Sequence, residues 1–436
     1  MKKLFKIVLA ALMVMSMAAC SNNAGNEGGN EETGITLPAE GTTVTIWHTF
    51  TNDQLTTLEA IAEEFNKTNE YGITVKVESQ TYDGFLDTVK TNVYNGTGPD
   101  MILNYASAAA DYVTDELVVD LSKYINDPEI GIPGYAESKP AGVVAEEFAF
   151  EDGQQHIIIT QQTGPIFFYN KTMYDQLGLK PATTWAEVKS NAQTINKELG
   201  IVGFALDSIT DVTQTLIMQG GSSYIDTEAR EITFNDATTE KIINYIADGC
   251  KEKYFSINPT NSYFSADMIS GQVAGYIGSV AGLPYVAGQG IFAADGTAEL
   301  ATAALPLEGT KWTPAWDRGM MVFNYDDADR AVASYLFIKY FTETENSLKW
   351  NMAMNALSPY FAVQEVAEYQ AYLEANPALQ SLAEQTAYAG VLPTVTGSAT
   401  VRTELQDAVK VVAAGEATAT EALAELEANS NAALQD

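Results

Sequence analysis

Apolar residues from position 43 onward recur at two spacings, one typical of strands and one typical of helices. Residues 43–47 and 73–77 alternate apolar and polar side chains, which predicts two strands. Between them, the apolar positions of 55–65 fall on one side of a helix. A second amphipathic helix is predicted over 85–93, and a short apolar strand follows at 101–103. This order predicts an α/β fold built on a wound sheet.

Strands and helices continue to alternate in the rest of the chain. Residues 157–159 and 166–169 are apolar strands separated by the polar break Gln161-Gln162-Thr163-Gly164-Pro165. Thr184 and Glu187 have the spacing of a capping box, which predicts a helix start. Further helices are predicted at 236–253, 327–341, 345–355 and after Thr418, and a strand at 273–277.

The N terminus has the three zones of a secretory signal. Lys2, Lys3 and Lys6 precede the apolar run 7–15, and small residues then lead to Cys20. The apolar run is short for a membrane span. A cysteine after two small residues resembles a bacterial lipobox, which implies cleavage before Cys20 and lipidation of its thiol. The alternative is an ordinary signal peptide with an incidental cysteine.

We therefore expect a signal peptide over residues 1–19, and a lipidated Cys20 with a flexible tether over 20–42. The tether is rich in Gly, Asn and Glu, and it has too few large apolar residues to bury a core. A lipid and a tether predict a protein held at the outer face of the bacterial cytoplasmic membrane, without a spanning helix.

The size and charge of the mature chain narrow its class. Residues 20–436 exceed the length of one ordinary core, which favours two lobes. Loss of three lysines leaves 20 basic against 57 acidic residues, a net charge of −37. Such a surface repels nucleic acid, so no nucleic-acid partner is expected. With Cys20 lipidated, Cys250 has no partner, and His48 and His156 are the only histidines. We expect no metal and no cofactor.

Short strings spread over residues 43–428 carry a family resemblance through their order and spacing. They are Val44-Thr-Ile-Trp47-His48, Ala62-Glu-Glu-Phe65-Asn66, Gly96-Thr-Gly98-Pro99-Asp100, Phe168-Tyr169-Asn170-Lys171, Thr184-Trp185, Gly271-Gln-Val-Ala-Gly275, Ala304-Leu305-Pro306 and Val401-Arg402. Together they resemble the extracellular solute-binding proteins of sugar ABC importers, the group that includes maltose-binding and glycerol-3-phosphate-binding proteins.

The resemblance implies a two-lobe periplasmic-binding-protein-like fold of type II, with the ligand cleft between the lobes. By analogy, lobe 1 comprises residues 43–160 plus 303–341, and lobe 2 comprises 165–300 plus 345–436. Three crossovers are then expected near 160–164, 301–304 and 341–344. The resemblance also implies a monomeric, non-enzymatic receptor that closes on a carbohydrate and delivers it to importer permease subunits.

Residues just after predicted strands are candidate ligand contacts, because open α/β sheets bind ligands beyond the carboxyl ends of their strands. Sugars offer apolar faces to aromatic rings and hydroxyls to polar side chains. The candidates from strand ends, the supposed hinge and the resemblance are Trp47, His48, Tyr82, Asp83, Asn104, Tyr105, Gln162, Thr163, Asp211, Ser279, Trp316, Asp317, Arg318, Tyr360, Tyr388 and Arg402.

Several of these candidates have a structural alternative. Core packing is favoured for Trp47, and His48 is open between ligand contact and a structural role. Trp316-Asp317-Arg318 combines an aromatic plane, a carboxylate and a guanidinium, which favours ligand contact. The alternative there is an Asp–Arg pair that braces a loop beside a core tryptophan.

The charge of the ligand and the class of protein also leave alternatives. Arg402 matches an arginine of relatives that bind neutral sugars, and no cluster of Arg and Lys is evident. A neutral sugar or oligosaccharide is therefore preferred to glycerol phosphate or another polyol phosphate. A secreted carbohydrate-active enzyme would need two carboxylates flanking the scissile bond, and no catalytic signature supports one. A non-transport sensor or adhesin is a further alternative.

Overall fold

The computed structural model describes residues 35–435 except 82–83, 107–108, 110–111, 114, 151, 259, 261 and 394. The expected signal peptide and the lipidated Cys20 lie outside the described residues, as do Tyr82 and Asp83. Among the residues described, no helix combines the length and the apolar character needed to cross a bilayer.

The strands and helices follow one another in the alternating order that the apolar pattern predicts. The strands are β1 (Thr43–His48), β2 (Thr74–Ser79), β3 (Met101–Tyr105), β4 (Ile158–Gln161), β5 (Pro165–Asn170), β6 (Phe204–Leu206), β7 (Ile225–Asp226), β8 (Glu231–Ile232), β9 (Phe255–Ser256), β10 (Gly275–Ser279), β11 (Leu300–Ala303), β12 (Thr313–Pro314), β13 (Arg318–Val322) and β14 (Ala389–Gly390). The helices are α1 (Asn52–Thr68), α2 (Phe85–Tyr94), α3 (Ser122–Ile125), α4 (Ala141–Glu147), α5 (Lys171–Gln176), α6 (Trp185–Leu199), α7 (Ile209–Gln219), α8 (Ala237–Lys251), α9 (Ser265–Ile269), α10 (Ala328–Phe341), α11 (Thr344–Met354), α12 (Phe361–Gln364), α13 (Ala367–Glu374), α14 (Pro377–Ala383), α15 (Ser398–Ala414) and α16 (Ala419–Gln435).

The first lobe is built on a sheet with strand order β2-β1-β3-β13-β4. The first three strands are parallel, whereas β13 runs antiparallel to both β3 and β4. Alternate residues of the sheet face two separate apolar clusters: Ile46 and Leu103 face the cluster under α1 and α10, and Ile102 faces the cluster under α2. Both faces are therefore covered, as expected for a largely parallel sheet.

The second lobe is built on a sheet with strand order β11-β5-β10-β6-β9. All six residues of β5 are buried, because Phe167 faces the cluster formed with α6–α8, α15 and α16 while Phe168 faces the cluster that includes α14. The capping box predicted at the start of α6 is confirmed: the Thr184 hydroxyl accepts from the Glu187 amide, and the Glu187 carboxylate accepts from the Thr184 amide. The two sheets and their cores confirm the two-lobe α/β fold.

The chain crosses between the lobes at three places. The first crossing, 162–164, joins β4 to β5, and the second, 315–317, joins β12 to β13. The third is 355–357, since Ala356 packs in the first-lobe core and Leu357 packs in the second.

Two of the expected lobe boundaries differ from the structure. Residues 303–314 were expected in lobe 1, but Leu305 packs in the second-lobe core and β12 pairs with β14. Residues 345–356 were expected in lobe 2, but Trp350 is fully buried in the first-lobe core beside Phe341. The chain turns directly from α10 into α11 and buries Trp350 before it crosses, so the last crossing falls about a helix length later.

Candidate ligand-binding site

The three crossings lie side by side and are joined by hydrogen bonds. The backbones of Gln162 and Leu357 exchange two bonds, of 2.7 and 2.9 Å. The Trp316 amide donates to the Thr163 carbonyl at 3.0 Å, and the Thr163 hydroxyl donates back to the Trp316 carbonyl. The Asn355 amide group donates to the Val280 carbonyl at 2.9 Å. The structure therefore brings the predicted Gln162, Thr163 and Trp316 together between the two sheets.

The first sheet presents a polar edge at these crossings. Tyr105 ends β3, Arg318 begins the antiparallel β13, and Gln161 ends β4, so all three lie at the carboxyl edge of the parallel strands. They are neighbours in register, since Arg318 pairs with Tyr105 on one side and with Gln161 on the other. We refer to Tyr105, Arg318 and Gln161 as the edge row.

Tyr105 and Arg318 are in direct contact within the edge row. The Arg318 guanidinium lies over the Tyr105 ring, 4.4 Å from its centroid, and donates to the Tyr105 hydroxyl at 2.6 Å. Asn104 is half-buried beside them, and its side-chain oxygen accepts from the Tyr105 amide at 2.8 Å. Tyr105, Arg318 and Asn104 thus place an aromatic ring and several polar groups together, and their contact with a ligand stays a prediction.

Gln161 has a bonded end and an unsatisfied end. Its side-chain oxygen accepts from the Trp350 indole nitrogen at 2.7 Å. Its amide nitrogen is buried without an acceptor among the residues that the structure describes. Sequence reasoning assigned Gln161 to the hinge break but not to the site, because no local pattern distinguishes it from Gln162.

His48 is close to this edge but has a structural role. It is 2% exposed, its Nδ1 accepts from the Phe50 amide at 3.0 Å, and its Nε2 contacts the Ser79 hydroxyl at 3.2 Å. Burial lowers the pKa of His48, which favours the neutral ring. The expected ligand contact of His48 is therefore not supported. Trp47 is half-buried and donates to the Glu78 carboxylate at 2.8 Å.

Asp317 points away from Arg318 into a buried polar cluster. It is 3% exposed and accepts from the Gln162 side chain at 3.3 Å. The carboxyl group of Glu146, on α4, belongs to the same buried cluster and interacts electrostatically with Asp317. Burial raises the pKa of Asp317 to about 7, and burial together with Asp317 raises the pKa of Glu146 well above its usual value. Asp317 is thus an anchor of the crossings, not half of an Asp–Arg loop brace.

A buried ion pair lies next to this carboxyl pair. The Lys139 ammonium is 2.5 Å from the Glu147 carboxylate and donates to the Tyr135 hydroxyl at 2.6 Å. It also lies 4.7 Å from the centre of the Tyr360 ring. Burial lowers the pKa of Lys139 and raises that of Glu147, while their mutual contact opposes both changes. No sequence pattern predicts this cluster, since its members are scattered over several elements.

Tyr360 belongs to that buried cluster and not to a ligand surface. It is 7% exposed, and its hydroxyl donates to the Ile159 carbonyl at 3.2 Å. Because Tyr360 is buried in this cluster, the stacking role expected for it is corrected to a structural one. Tyr388 is half-buried just before β14, and its role stays a prediction.

The second lobe contributes Trp316, Asp211 and Ser279 near the crossings. Trp316 and Asp211 line one small cleft together with Pro165 at the start of β5. Ser279 ends β10 opposite Pro165, and its hydroxyl accepts from the Ala281 amide at 3.3 Å. These residues lie at the carboxyl edge of β10, which faces the same crossing as the edge row.

Asp211 and Arg402 are already bound to each other. The Arg402 guanidinium is 2.8 Å from the Asp211 carboxylate, and it donates to the Gln214 side chain at 2.8 Å. These contacts join α15 to α7. The Arg402 side chain remains about half exposed, so the structure leaves its predicted ligand role open.

Two exposed tyrosines near this edge were missed by the sequence analysis. Tyr263 is 50% exposed and follows β9 at the turn into α9, and Tyr285 is 66% exposed at the end of the helical turn after β10. The neighbouring Phe264 amide donates to half-buried Asp207 at 2.7 Å, which fixes the Tyr263 segment against the end of β6. Both tyrosines stand several residues beyond their strands, so a search limited to strand ends passes over them.

Sequence comparison decides the family. Residues 60–381 match the model of the bacterial extracellular solute-binding proteins. The chain belongs to this family. Membership in this family places the protein outside the cytoplasm. Among the described residues, no group of three or more His, Cys, Asp or Glu is arranged to hold a metal ion. A search of curated protein sequences found no match.

Solved structures similar to this solute-binding protein are receptors of the same fold. The cyclic α-maltosyl-1,6-maltose binding protein of Arthrobacter globiformis has a TM-score of 0.75 and 23% identity, covering 90% of this chain and 99% of the other. The GacH receptor of Streptomyces glaucescens, solved unliganded and with acarbose, has a TM-score of 0.77 and 18% identity, covering 91% and 99%. UgpB of Mycobacterium tuberculosis, in complex with glycerophosphocholine, has a TM-score of 0.77 and 14% identity, covering 90% and 98%.

Proposed function

We propose that this solute-binding protein captures a sugar or oligosaccharide between its lobes and delivers it to the permease subunits of an ABC importer. The observation that carries the proposal is the meeting of aromatic faces and polar donors where both sheets expose their carboxyl edges. Tyr105 and Trp316 supply the aromatic faces, and Asn104 and Arg318 supply the polar groups. This composition suits a ligand with apolar faces and a rim of hydroxyls.

The proposed site is smaller than the candidate set from the sequence. It comprises Asn104, Tyr105, Gln161, Gln162, Thr163, Asp211, Ser279, Trp316 and Arg318. Asp317 lies behind this set and holds Gln162 through a hydrogen bond. The candidates that stay predictions beyond this set are Trp47, Tyr82, Asp83, Tyr388 and Arg402. Closure of the lobes would exclude water, so each polar group left unpaired would cost about 1–3 kcal/mol. That cost gives the site a means to discriminate between stereoisomers.

Retention of saccharides from a mixture tests the proposal. The purified protein is incubated with neutral and acidic mono- and oligosaccharides, separated from free sugar by gel filtration, and its retained ligand is identified by mass spectrometry. We expect one saccharide class to co-elute intact. Retention of none would contradict a carbohydrate receptor, and the appearance of shortened products would favour the alternative of a carbohydrate-active enzyme. Retention of polyol phosphates alone would favour the phosphate alternative.

The proposal includes a lipid anchor at Cys20 and a monomeric receptor. The zoned N terminus that ends in Ala18-Ala19-Cys20 supports the anchor. In a bacterial host, the protein should fractionate with membranes and carry diacylglycerol on Cys20 by mass spectrometry. The Cys20→Ser variant should appear in the soluble fraction, whereas a Cys250→Ser control should stay with the membrane. Equal fractionation of both variants would contradict the anchor.

A further inference from the structure

Arg318 differs from Arg330 and Arg402 in its partners. The chain has 57 acidic and 23 basic residues, so carboxylates outnumber cations by more than two to one. Arg330 is 2.6 Å from Asp100, and Arg402 is 2.8 Å from Asp211. Arg318 has no carboxylate within ion-pair distance among the described residues, although it is half-buried beside the crossings. Its neighbour Asp317 is turned away into the buried carboxyl cluster.

The donors of the edge row exceed its acceptors. A guanidinium carries five N–H groups in a planar fork. The side chain of Arg318 makes one hydrogen bond among the residues described, to the Tyr105 hydroxyl. On the neighbouring strand β4, Gln161 pairs with Arg318. Its buried amide nitrogen has no acceptor among the residues that the structure describes. The guanidinium of Arg318 therefore holds donors that a ligand rich in acceptors would satisfy.

We infer that the ligand carries an acidic group, the carboxylate of a uronic-acid-type saccharide, and that Arg318 binds this group while Tyr105 holds the guanidinium in place. The inference rests on the proposed carbohydrate function and names the class of saccharide. It replaces the preference for a neutral ligand drawn from the sequence.

The physical reason is the cost of closing the lobes over an unpaired cation. A guanidinium removed from water without a counter-ion is destabilising, and a carboxylate on the ligand would remove that cost. The planar fork also matches a carboxylate in two parallel hydrogen bonds. A single guanidinium balances the one charge of a carboxylate, whereas a phosphate dianion calls for a second cation.

The strongly negative surface makes a local positive group necessary for such a ligand. A chain with a formal charge of −34 repels an acidic saccharide at long range. Arg318 supplies attraction at the point of contact, where screening by solvent is weakest. Binding of an acidic ligand should for that reason remain measurable at physiological salt.

Titration calorimetry with matched ligands tests the inference. The probes are galacturonic and glucuronic acid, their di- and trisaccharides, the neutral methyl esters of each, and glycerol 3-phosphate. We expect an acid to bind at least about tenfold more tightly than its ester. Arg318→Gln should weaken the acid by about 10- to 100-fold, the range for hydrogen bonds to a charged group, and weaken the ester far less, so that most of the preference for the acid is lost. Arg318→Lys should keep part of the preference.

Lys67→Gln is the matched control, because Lys67 is exposed and the change alters net charge equally. It should leave the acid and the ester unaffected. Thermal unfolding of each variant separates a folding defect from lost recognition, and the acid–ester comparison on the unmodified protein needs no variant at all.

Each contrary outcome is distinct. Esters or other neutral saccharides that bind as tightly as the acids would overturn the inference and leave the carbohydrate function standing. A preference for acid that survives in Arg318→Gln would overturn the role of Arg318. Binding of glycerol 3-phosphate alone, or of no saccharide, would overturn both the inference and the proposed function.

Discussion

Glu146 and Asp317 place two interacting carboxyl groups in one buried cluster beside the crossings, next to the ion pair of Lys139 and Glu147. Two buried carboxylates cannot both ionise there without repulsion, so the pair retains a proton towards neutral pH. The pair lies where α4 of the first lobe meets the segment that leads into β13.

This pair predicts a stability that falls as pH rises. The pKa of each group is raised in the folded state, so the folded protein binds more protons than the unfolded chain between about pH 4 and pH 7. The free energy of unfolding should therefore decline through that window. Glu146→Gln removes one titrating carboxyl group from the pair, and should show a decline smaller by about 1–3 kcal/mol.

Urea unfolding at pH 5, 6, 7 and 8 measures the effect. Glu63→Gln is the control, since that carboxylate is exposed and its change should leave the wild-type pH profile intact. A Glu146→Gln profile parallel to that of the wild type would show that the pair does not hold the proton.

Whether the role of a single residue could be predicted depends on how far away in sequence its contact partners lie. Tyr105, Gln162 and Trp316 could be nominated because each directly adjoins a strand or the hinge break. The structural role of His48 depends on Ser79, a partner on another strand that the sequence does not reveal. Burial of Tyr360 depends in the same way on Lys139, more than 200 residues away.

At the scale of elements, the junction of β13 with β4 depends on a glycine. The register shifts between Arg318 and Gly319, and a β-carbon built on Gly319 would lie 2.4 Å from the Ile158 carbonyl oxygen. The strands approach this closely only because Gly319 has no side chain. The shift places Arg318 opposite Gln161 and so sets the edge row.

Two glycine substitutions test whether Gly319 allows the close approach of β13 and β4. Gly319→Ala should lower the free energy of unfolding by about 1–3 kcal/mol, because two paired strands must move apart. A β-carbon added at Gly142 in α4 has no atom within 4 Å. Gly142→Ala should therefore raise the free energy of unfolding by about 0.5–1 kcal/mol through helix propensity. Chemical denaturation of both variants is the measurement. Equal effects would show that the backbone contact at Gly319 is not constraining.

Elements with strong local signals were predicted correctly, whereas two of the three crossings between the lobes were not. The capping box at Thr184 and the apolar period of α8 depend on residues within a helical turn or two of each other. Both helices could therefore be predicted from the local sequence. The placement of α11 depends on where Trp350 finds a cavity, which is a property of the assembled core. The positions predicted for the second and third crossings from the family resemblance are therefore more than ten residues too early.

At the scale of the whole molecule, three crossings held by mutual hydrogen bonds connect two lobes, each with its own sheet and core. A smaller apolar cluster, which includes Leu348 and Val363, also spans the third crossing, so we expect the lobes to move as hinged bodies about this connection. We predict that a bound saccharide lowers the radius of gyration measured by small-angle X-ray scattering. A saccharide that binds by calorimetry and leaves the scattering curve unchanged would contradict capture by closure.

Thermal unfolding of the protein against a panel of neutral saccharides, acidic saccharides, polyol phosphates and peptides tests the central claim most directly. A ligand that binds only the folded state adds RT ln(1 + [L]/Kd), about 2.7 kcal/mol at a hundredfold excess over Kd. The account predicts that one saccharide class raises the melting temperature progressively with concentration and is recovered intact. A panel in which no saccharide shifts the transition while a peptide or another solute does would contradict it.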